Sequence, residues 1–365
     1  MSIDCAQTVV VVWSKKIFET VSVPVFGSFG LVGNILAIMM LNKAKRQTTF
    51  NQSLKALAIC DVMFLIMMLT DQIVDKTNLL YVILFPYFWN PLKNILMSWD
   101  TFLLMSIATE RFIGVWKPVF YRSQKLSYSR KTHFLIYLLP SVVSSILINI
   151  PKFLETELII VNRTSEENTT VEVLDYEITS LRLDQDYVFY YINWTRLIFT
   201  GVIPFIYLIV VNMLIVLAIK KKIPSIRINS TSLRRQRLCN VISKQDPKLP
   251  KIKLPRHSAL TLVAISIMFL ICNLPRIFLN IAEWNIELVT MIDDNGCEQA
   301  PDWFEVLMSL SNFSLTINSA VNCIIYYYFT KKFKKKINNN IRWVQALVWS
   351  LIITTGGSWW SSYTF

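Results

Sequence analysis

The chain has 365 residues, of which 53% are hydrophobic and only 17% are charged, and its mean hydropathy is +0.44. A soluble domain is about one quarter charged, so this composition excludes an ordinary soluble protein and favours a membrane protein. The net charge of +13 would suit nucleic acid, but the basic residues cluster between apolar stretches. We therefore expect the lipid bilayer, and no nucleic acid, as a partner.

Seven apolar stretches, with their ends extended, are long enough to cross a bilayer, which takes roughly 20 residues per helix. Helices are expected because lipid cannot satisfy open backbone polar groups. The sequence predicts an all-α membrane protein, a seven-transmembrane helix bundle over residues 17–329. The predicted helices are Ile17–Leu41, Ser53–Ile73, Phe85–Trp116, His133–Ile150, Val188–Lys220, Arg256–Glu283 and Asp302–Phe329.

The segments between these helices alternate in charge. Lys220–Arg256 holds twelve Lys or Arg residues and one acid, whereas Lys152–Val188 has nine acids against three bases. Cytoplasmic loops carry the excess of Lys and Arg. The N-terminus is therefore predicted outside and the C-terminus inside, in a multi-pass protein of the plasma membrane.

The segments predicted to lie outside carry candidate modification sites. Residues 1–16 form a short extracellular N-terminus without the pattern of a signal peptide. Cys5 in this segment and Cys297 before the seventh helix are candidates for a disulfide, the alternative being two free thiols. Asn162 and Asn168 stand in Asn-x-Thr sequences and are predicted glycosylation sites.

Two segments follow the seventh helix. Residues 330–338 are rich in lysine and predict an amphipathic juxtamembrane helix on the anionic inner leaflet. Residues 339–365 are apolar and rich in tryptophan, and they are expected to form a cytoplasmic tail. This tail is either an interfacial segment or an incorrect end of the gene model.

Ionisable residues inside a predicted span are functional candidates because they are costly to place there. Two aspartates and several amide or hydroxyl side chains lie at similar depth in the first, second, third and seventh helices. Such oxygen ligands suit a hard cation such as sodium. The two aspartates could also share a proton, since two close carboxylates resist full ionisation. The alternative to both is a buried polar network that only packs the bundle. No cofactor is predicted beyond an allosteric sodium ion. The candidates are Asp61, Asp100, Asn318, Ser319 and Asn322, with Asn34 beside them.

Further acids approach the outer ends of the helices. Asp75 follows Asp61 by two heptads, so the two share one helix face. Asp71 lies on nearly the same face, and Glu283 and Glu305 flank the loop between the sixth and seventh helices. We predict a negatively charged opening that favours a cationic ligand such as an Arg-containing peptide, the alternative being acids that only solvate the surface. The candidate ligand contacts are Asp71, Asp75, Lys93, Asn273, Arg276, Glu283 and Glu305.

The inner end of the third helix carries an adjacent acid and base, Glu110 and Arg111. Such a pair can be separated by a helix shift and then acts as a switch, whereas the alternative is an interfacial charge pair that ends a span. Pro275 falls inside the sixth helix and predicts a kink there. Glu110, Arg111 and Pro275 are therefore candidates for an activation switch.

Five short motifs stand in chain order, namely Gly33-Asn34, Leu57–Asp61, Glu110–Phe112, Cys272–Pro275 and Asn322–Tyr326. Together they resemble the motifs of rhodopsin-like (class A) G-protein-coupled receptors, with Tyr326 as part of the activation switch. The stretches NIPKFLE (Asn149–Glu155), Leu181–Phe205 and Ser311–Phe329 are similar to invertebrate FMRFamide-type neuropeptide receptors.

This resemblance implies roles for single residues. Arg111 leaves Glu110 on activation and engages the G-protein α subunit, while Asn322 and Tyr326 rearrange with it. Asp61, Ser319 and Asn322 line the family's sodium pocket, with Asp100 beside it.

The chain also departs from the family pattern. The disulfide that usually ties the third helix to the second extracellular loop has no cysteines here, Asn273 replaces a tryptophan and Phe112 replaces a tyrosine. Lys93 stands where amine receptors carry an aspartate, and Thr316 stands where opsins carry the retinal lysine. These two positions argue against a monoamine receptor and a photoreceptor.

The leading hypothesis is a receptor for a short amidated, FMRFamide-like neuropeptide that signals through heterotrimeric G proteins, with arrestin as a further partner. A chemosensory receptor for a small molecule is the alternative, followed by an ion channel or transporter. The sequence contains no nucleophile–base arrangement or phosphate loop, so an enzyme is not expected.

Overall fold

The computed structural model describes residues 8–43, 48–74, 77–164, 170–219, 256–282, 291–292 and 298–329. These residues form seven long helices, counted here from first to seventh, together with short helices and two β-hairpins. The first, second, fourth and fifth helices are Val9–Asn42, Thr49–Ile73, Arg130–Ile148 and Gln185–Ile219. The third joins Leu79–Leu84, Phe85–Trp89 and Asn90–Trp116, the sixth is Arg256–Ala282, and the seventh is Asp302–Phe329.

Several helices begin earlier than the hydrophobic pattern predicted. The first begins at Val9 rather than Ile17, because Thr8 accepts a hydrogen bond from the Val11 backbone N–H and caps it. The boundary between the N-terminal segment and the first helix, predicted at residues 16 and 17, therefore lies before Val9, and Val11 and Ser14 are buried in the bundle. Caps satisfy open backbone donors and extend a helix beyond its apolar part.

Three of the described helices contain π-helical segments next to prolines. One is Lys15–Ser22 in the first helix, two residues before Pro24, and the other two lie in the third and fifth helices. In the third this segment is Phe85–Trp89, which includes Pro86, and in the fifth it is Val188–Val202, just before Pro204. A π-helical segment widens the helix and is frequent at functional sites. The segments of the third and fifth helices supply residues to the cavities described below.

The prediction of an all-α protein is wrong in one respect, because strands lie between helices. Thr156–Thr164 (β1) pairs antiparallel with Thr170–Ile178 (β2), with Thr156 opposite Ile178. Met291–Ile292 (β3) pairs with Glu298–Gln299 (β4). β1 and β2 are rich in Ile, Val, Leu and Thr, which favour strands, and the apolar-stretch criterion used for the helices does not detect them.

The β1–β2 hairpin rests on the beginning of the third helix, where the Phe85 and Tyr176 rings stack with centroids 4.3 Å apart. We call this end of the bundle the hairpin end. The other end of the third helix carries Arg111, and we call that end of the bundle the Arg111 end. A short helix, Pro118–Ser127, follows the third helix there.

Small residues bring the first and seventh helices into close contact. A Cβ atom added at Gly30 would lie 2.6 Å from Ala320 Cα, and one added at Gly33 would lie 2.3 Å from Cys323 Sγ. Small side chains let membrane helices approach closely. This contact positions the polar residues of the seventh helix beside the first.

Five of the described helices are long and apolar enough to cross a membrane, namely Val9–Asn42, Thr49–Ile73, Arg130–Ile148, Gln185–Ile219 and Ala259–Ala282. The third and seventh are less apolar because they carry buried polar side chains such as Glu110, Arg111, Ser311 and Asn322. Intramembrane polar groups face the bundle interior. The seventh helix has the predicted bounds, Asp302–Phe329.

Candidate functional site

Two adjoining cavities extend inward from the hairpin end. The larger, of about 240 Å³, is lined by residues of the second, third, sixth and seventh helices, including Asp71, Trp89 and Lys93. The smaller, of about 50 Å³, also reaches the fifth helix and has Asp61 and Asp100 in its wall. Asn94 and Arg276 line both cavities, among other residues.

Asp71 is the centre of a polar cluster in the larger cavity. Its Oδ2 atom lies 2.5 Å from Lys93 Nζ, and its Oδ1 atom accepts hydrogen bonds from Trp89 Nε1 at 2.5 Å and Tyr81 Oη at 3.4 Å. The Asp71 side chain is 13% exposed. Asp71 and Lys93, both predicted ligand contacts, are thus brought together and neutralise each other.

The negatively charged opening that the sequence predicted is not formed by the described residues. Besides the Asp71–Lys93 pair, Glu305 Oε2 lies 3.0 Å from Lys15 Nζ, and Glu305 is not among the residues that line either cavity. The early start of the first helix supplies Lys15. Asp75 and Glu283, the other two rim acids, lie outside the described residues.

The smaller cavity instead contains arginines. Arg276 and Asn273 line it as predicted contacts, and Asn273 Nδ2 donates to the Phe269 carbonyl at 2.9 Å. Sequence reasoning missed Arg196, whose Nη2 donates to Asn94 Oδ1 at 3.0 Å. A charge within an otherwise apolar helix was the signal that could have identified it.

The predicted ion-binding residues meet at the inner wall of the smaller cavity. Asn322 Nδ2 donates to Asp61 Oδ2 at 2.9 Å, and Asn318 Nδ2 donates to Asp100 Oδ2 at 3.1 Å. Ser319 lines the same cavity and its carbonyl accepts from Asn34 Nδ2 at 2.9 Å. One polar cluster therefore joins the first, second, third and seventh helices.

This cluster contains buried acceptor oxygens that have no hydrogen-bond partner in the described residues. They are Asn34 Oδ1, Asp61 Oδ1 and Asn322 Oδ1. Leaving a buried hydrogen-bond acceptor unpaired costs free energy, and carboxylate and amide oxygens are the ligands that hard cations prefer. The residues present therefore fit a sodium ion. The same oxygens could equally accept hydrogen bonds from water.

At the Arg111 end, the predicted pair of Glu110 and Arg111 is formed and buried. Arg111 Nη2 lies 2.6 Å from Glu110 Oε1, Glu110 is fully buried, and the guanidinium carbon lies 4.5 Å from the centre of the Phe50 ring. A cation over an aromatic face is stabilised by the ring. The pair is thus held inside the bundle rather than at a solvated interface.

Tyr121, on the short helix Pro118–Ser127, is a third member that sequence reasoning missed. Its hydroxyl donates to Glu110 Oε1 at 2.5 Å and accepts from Arg111 Nη2 at 3.0 Å. Burial raises the pKa of the Tyr121 hydroxyl above its ordinary value, against the opposing effect of Arg111. The hydroxyl therefore remains protonated and able to donate to Glu110.

The remaining predicted positions are placed as follows. Pro275 lies inside the sixth helix, and Tyr326 is buried in the seventh with its hydroxyl unpaired in the described residues. Asn162 belongs to β1 by its backbone. Cys5, Cys297, Asn168 and the predicted helix over 330–338 lie outside the described residues.

Comparison with known proteins agrees with this arrangement. Residues 33–326 match the family model for the 7 transmembrane receptor (rhodopsin family). The FMRFamide receptor of Drosophila melanogaster is 26% identical over 326 residues, which is 86% of this chain and 52% of that receptor. The chain thus spans about half the length of this curated relative. Because the family match covers most of the chain and includes all seven helices at least in part, the chain belongs to the rhodopsin family of seven-transmembrane G-protein-coupled receptors.

Proposed function

We propose that the chain is a plasma-membrane receptor for a short amidated, FMRFamide-like neuropeptide and that it activates heterotrimeric G proteins. The observation that carries the proposal is the pair of adjoining cavities, which lead from the hairpin end to the Asp61–Asp100 cluster. The similarity to the FMRFamide receptor of Drosophila melanogaster supports the ligand class.

In this proposal the hairpin end lies outside the cell and the Arg111 end lies inside. The basic segment Lys220–Arg256 follows the fifth helix, and the acidic segment Lys152–Val188 contains the β1–β2 hairpin. The excess of Lys and Arg in cytoplasmic segments supports this orientation. Glycosylation at Asn162 and Asn168 is proposed on the same basis.

Ligand binding would act on the sixth helix. Asn273 and Arg276 flank Pro275 and both line the smaller cavity. A ligand that contacts them in one arrangement of the sixth helix, and not in another, shifts the population toward the first. Pro275 removes one backbone hydrogen bond, which makes this point the natural hinge.

The response would appear at the Arg111 end. Movement of the sixth helix opens the bundle there, Arg111 leaves Glu110 and Tyr121, and its guanidinium becomes available to the α subunit of the G protein. Tyr326 has a buried hydroxyl without a partner in the described residues, so it gains a hydrogen bond if it rearranges. Arrestin is a further proposed partner of the same face.

The polar cluster would hold a sodium ion in the unliganded receptor through Asp61, Asn322 and Asn34, with Asp100 and Ser319 beside them. A bound cation supplies the positive charge that two nearby carboxylates require. It thereby stabilises the arrangement in which the cluster is compact.

A chemosensory receptor for a small molecule is the second candidate. The observation that favours it is the size of the larger cavity, about 240 Å³, which suits a small molecule more closely than a whole peptide. A peptide would place only one or two side chains in it.

The proposed function is tested by expressing the full chain with a promiscuous G-protein reporter and applying amidated peptides that end in Arg-Phe. We expect a response at nanomolar concentration that Arg111→Ala abolishes and Arg122→Ala, an exposed arginine on the adjacent short helix, leaves intact. Receptor number at the cell surface is measured for each variant. Silence from a well-displayed receptor contradicts the peptide proposal, and a small-molecule panel then tests the alternative.

A further inference from the structure

The two members of the Asp71–Lys93 ion pair are held unequally. Asp71 Oδ1 accepts hydrogen bonds from Trp89 Nε1 at 2.5 Å and from Tyr81 Oη at 3.4 Å, whereas Asp71 Oδ2 lies 2.5 Å from Lys93 Nζ. Among the described residues, Asp71 supplies the one hydrogen bond of Lys93 Nζ. The Lys93 side chain is 26% exposed, twice the fraction of Asp71. If the pair opens, Asp71 therefore stays in place and Lys93 leaves.

The chemistry of lysine makes this departure inexpensive. An ammonium group is a strongly hydrated point charge at the end of a flexible four-carbon stem. In a partly exposed ion pair, hydration and side-chain entropy offset much of the attraction between the charges. The Lys93 ammonium group regains hydration when it moves away from Asp71, so another cation can take its place at small cost.

The surroundings of Asp71 favour a guanidinium group as the replacing cation. The Trp89 ring lies beside the carboxylate because its Nε1 atom bonds Asp71 Oδ1, and Phe85 lines the same cavity. A guanidinium group is planar, donates several hydrogen bonds and stacks on aromatic rings. A guanidinium group at Asp71 Oδ2 therefore combines a charge-assisted hydrogen bond with an aromatic contact.

The charges of the larger cavity permit an exchange of cations but disfavour the addition of one. Besides Asp71, its charged lining residues in the described part of the chain are Lys93 and Arg276, which are both basic. A cation added to this set would be repelled by two like charges in a medium of low dielectric constant. A cation that replaces Lys93, whose ammonium group moves toward solvent, leaves the charge around Asp71 unchanged.

We propose that Lys93 is a built-in substitute for a ligand cation, and that the guanidinium group of an arginine in the peptide displaces it from Asp71. This inference rests on the proposed function and adds the residue that determines specificity and the group that it recognises. Asp71 becomes accessible only to a ligand that supplies a cation, and Lys93 sets the threshold by competing for the same oxygen.

The first test is a double-mutant cycle between receptor and ligand. One ligand is an amidated peptide ending in Arg-Phe, and the other carries citrulline in place of the arginine, which keeps the planar shape and removes the positive charge. Binding is measured by competition on receptors counted at the cell surface. On the wild-type receptor, citrulline is expected to weaken binding about 10- to 100-fold, and Asp71→Asn should reduce this penalty at least several-fold.

Substitutions of Lys93 distinguish displacement from direct contact with the ligand. Lys93→Met removes the competing charge and keeps an unbranched side chain, so it is expected to bind the arginine peptide about 3- to 10-fold more tightly than the wild type does. Lys93→Arg competes with a guanidinium group of its own and should bind this peptide more weakly, and it serves if Lys93→Met does not reach the surface. If Lys93 itself held the ligand, or only joined the second and third helices, Lys93→Met would weaken binding.

Lys15→Met is the matched control. Lys15 Nζ lies 3.0 Å from Glu305 Oε2, and neither residue is among those that line the two cavities. This variant loses a lysine from an ion pair just as Lys93→Met does, but it should leave both the affinity and the citrulline penalty unchanged.

The two possible failures are distinguishable. If the wild-type receptor binds the amidated peptide, but Asp71→Asn keeps the full citrulline penalty or Lys93→Met weakens binding, the exchange at Asp71 is wrong and the proposed function stands. If citrulline carries no penalty on the wild-type receptor, the exchange is equally wrong. If the well-displayed wild-type receptor binds no amidated peptide, both proposals are overturned.

Discussion

At the scale of single residues, the Arg111 end depends on one shared oxygen. Glu110 Oε1 receives hydrogen bonds from both Arg111 Nη2 and Tyr121 Oη, and these two donors are also bonded to each other. Hydrogen bonds to charged groups are worth about 1.5–3 kcal/mol each. The Tyr121 hydroxyl therefore stabilises the closed Glu110–Arg111 pair by an amount comparable to the few kcal/mol that separate two conformations of a protein.

Tyr121→Phe is expected to raise signalling in the absence of ligand by roughly 3- to 10-fold, because the closed Glu110–Arg111 pair loses one hydrogen bond to a charged group. Basal reporter activity per surface receptor measures this. Tyr128→Phe removes a hydroxyl from an exposed residue that directly follows the same short helix and should change nothing. Unchanged or lower basal activity in Tyr121→Phe would show that the hydroxyl does not restrain Arg111.

The polar cluster around Asp61 makes a prediction about ion removal. Replacing sodium by N-methylglucamine should raise agonist affinity of the wild-type receptor severalfold, because the sodium ion proposed for this cluster would stabilise the unliganded arrangement. Asp61→Asn should abolish this dependence by removing the negative ligand. Asp184→Asn, which keeps the cap of Tyr187 N at the hairpin end, is the control. A sodium effect that persists in Asp61→Asn would locate the ion elsewhere.

At the scale of secondary-structure elements, contacts of buried charged side chains attach the β1–β2 hairpin to the bundle. Glu155 directly precedes β1 and is 3% exposed. Its carboxylate lies 2.5 Å from Lys152 Nζ, 3.7 Å from Arg182 Nε and 2.8 Å from Tyr187 Oη. These contacts join the ends of the fourth and fifth helices to the hairpin without any cysteine in the segment 152–187.

The free energy of unfolding should depend on pH through Lys152. Burial, with repulsion from Arg196, lowers the pKa of Lys152 from 10.5 to about 7, although Glu155 opposes the change. Between these two values the unfolded chain binds a proton that the folded receptor does not, so stability rises with pH. The slope for one proton is at most about 1.4 kcal/mol per pH unit.

Thermal unfolding of the purified receptor between pH 6.5 and 9 measures this slope. The wild-type midpoint should rise with pH above about 7, and Lys152→Met should remove the Lys152 part of that rise. Lys16→Met, at an exposed lysine of the first helix, is the control. Parallel curves for wild type and Lys152→Met would mean that Lys152 stays charged throughout.

At the scale of the whole molecule, the polar interior depends on how closely the helices approach. Gly30 and Gly33 bring the first helix against Ala320 and Cys323, and this approach lets Asn34 reach the Ser319 carbonyl. The polar cluster around Asp61 therefore requires the contact between the first and seventh helices.

Gly30→Ala should lower thermal stability by about 1–3 kcal/mol, because the added Cβ would lie 2.6 Å from Ala320 Cα and force the helices apart. Gly114→Ala is the matched control, since its Cβ meets only Tyr121 carbons at 3.6 Å or more. Both substitutions raise helix propensity equally. A Gly30→Ala receptor as stable as Gly114→Ala would contradict the close contact.

The sequence by itself determined the helix count, the family and the buried polar positions. Burying an acid or amide among apolar residues is costly, so such a residue inside an apolar stretch can be recognised from the sequence alone. It also identified the pair of Glu110 and Arg111, since residues adjacent in sequence lie close together in any fold. Only the tertiary structure decided the partners of Asp71, Glu305 and Glu110, which are Lys93, Lys15 and, besides Arg111, Tyr121. These pairings join different helices, and their geometry follows from helix starts, π-helical segments and crossing contacts that hydrophobic patterns do not encode. The charge of a cavity depends on all such pairs together. The sequence therefore identified Arg276 in the wall of the smaller cavity but missed Arg196, and it predicted a negative opening that the described residues do not form.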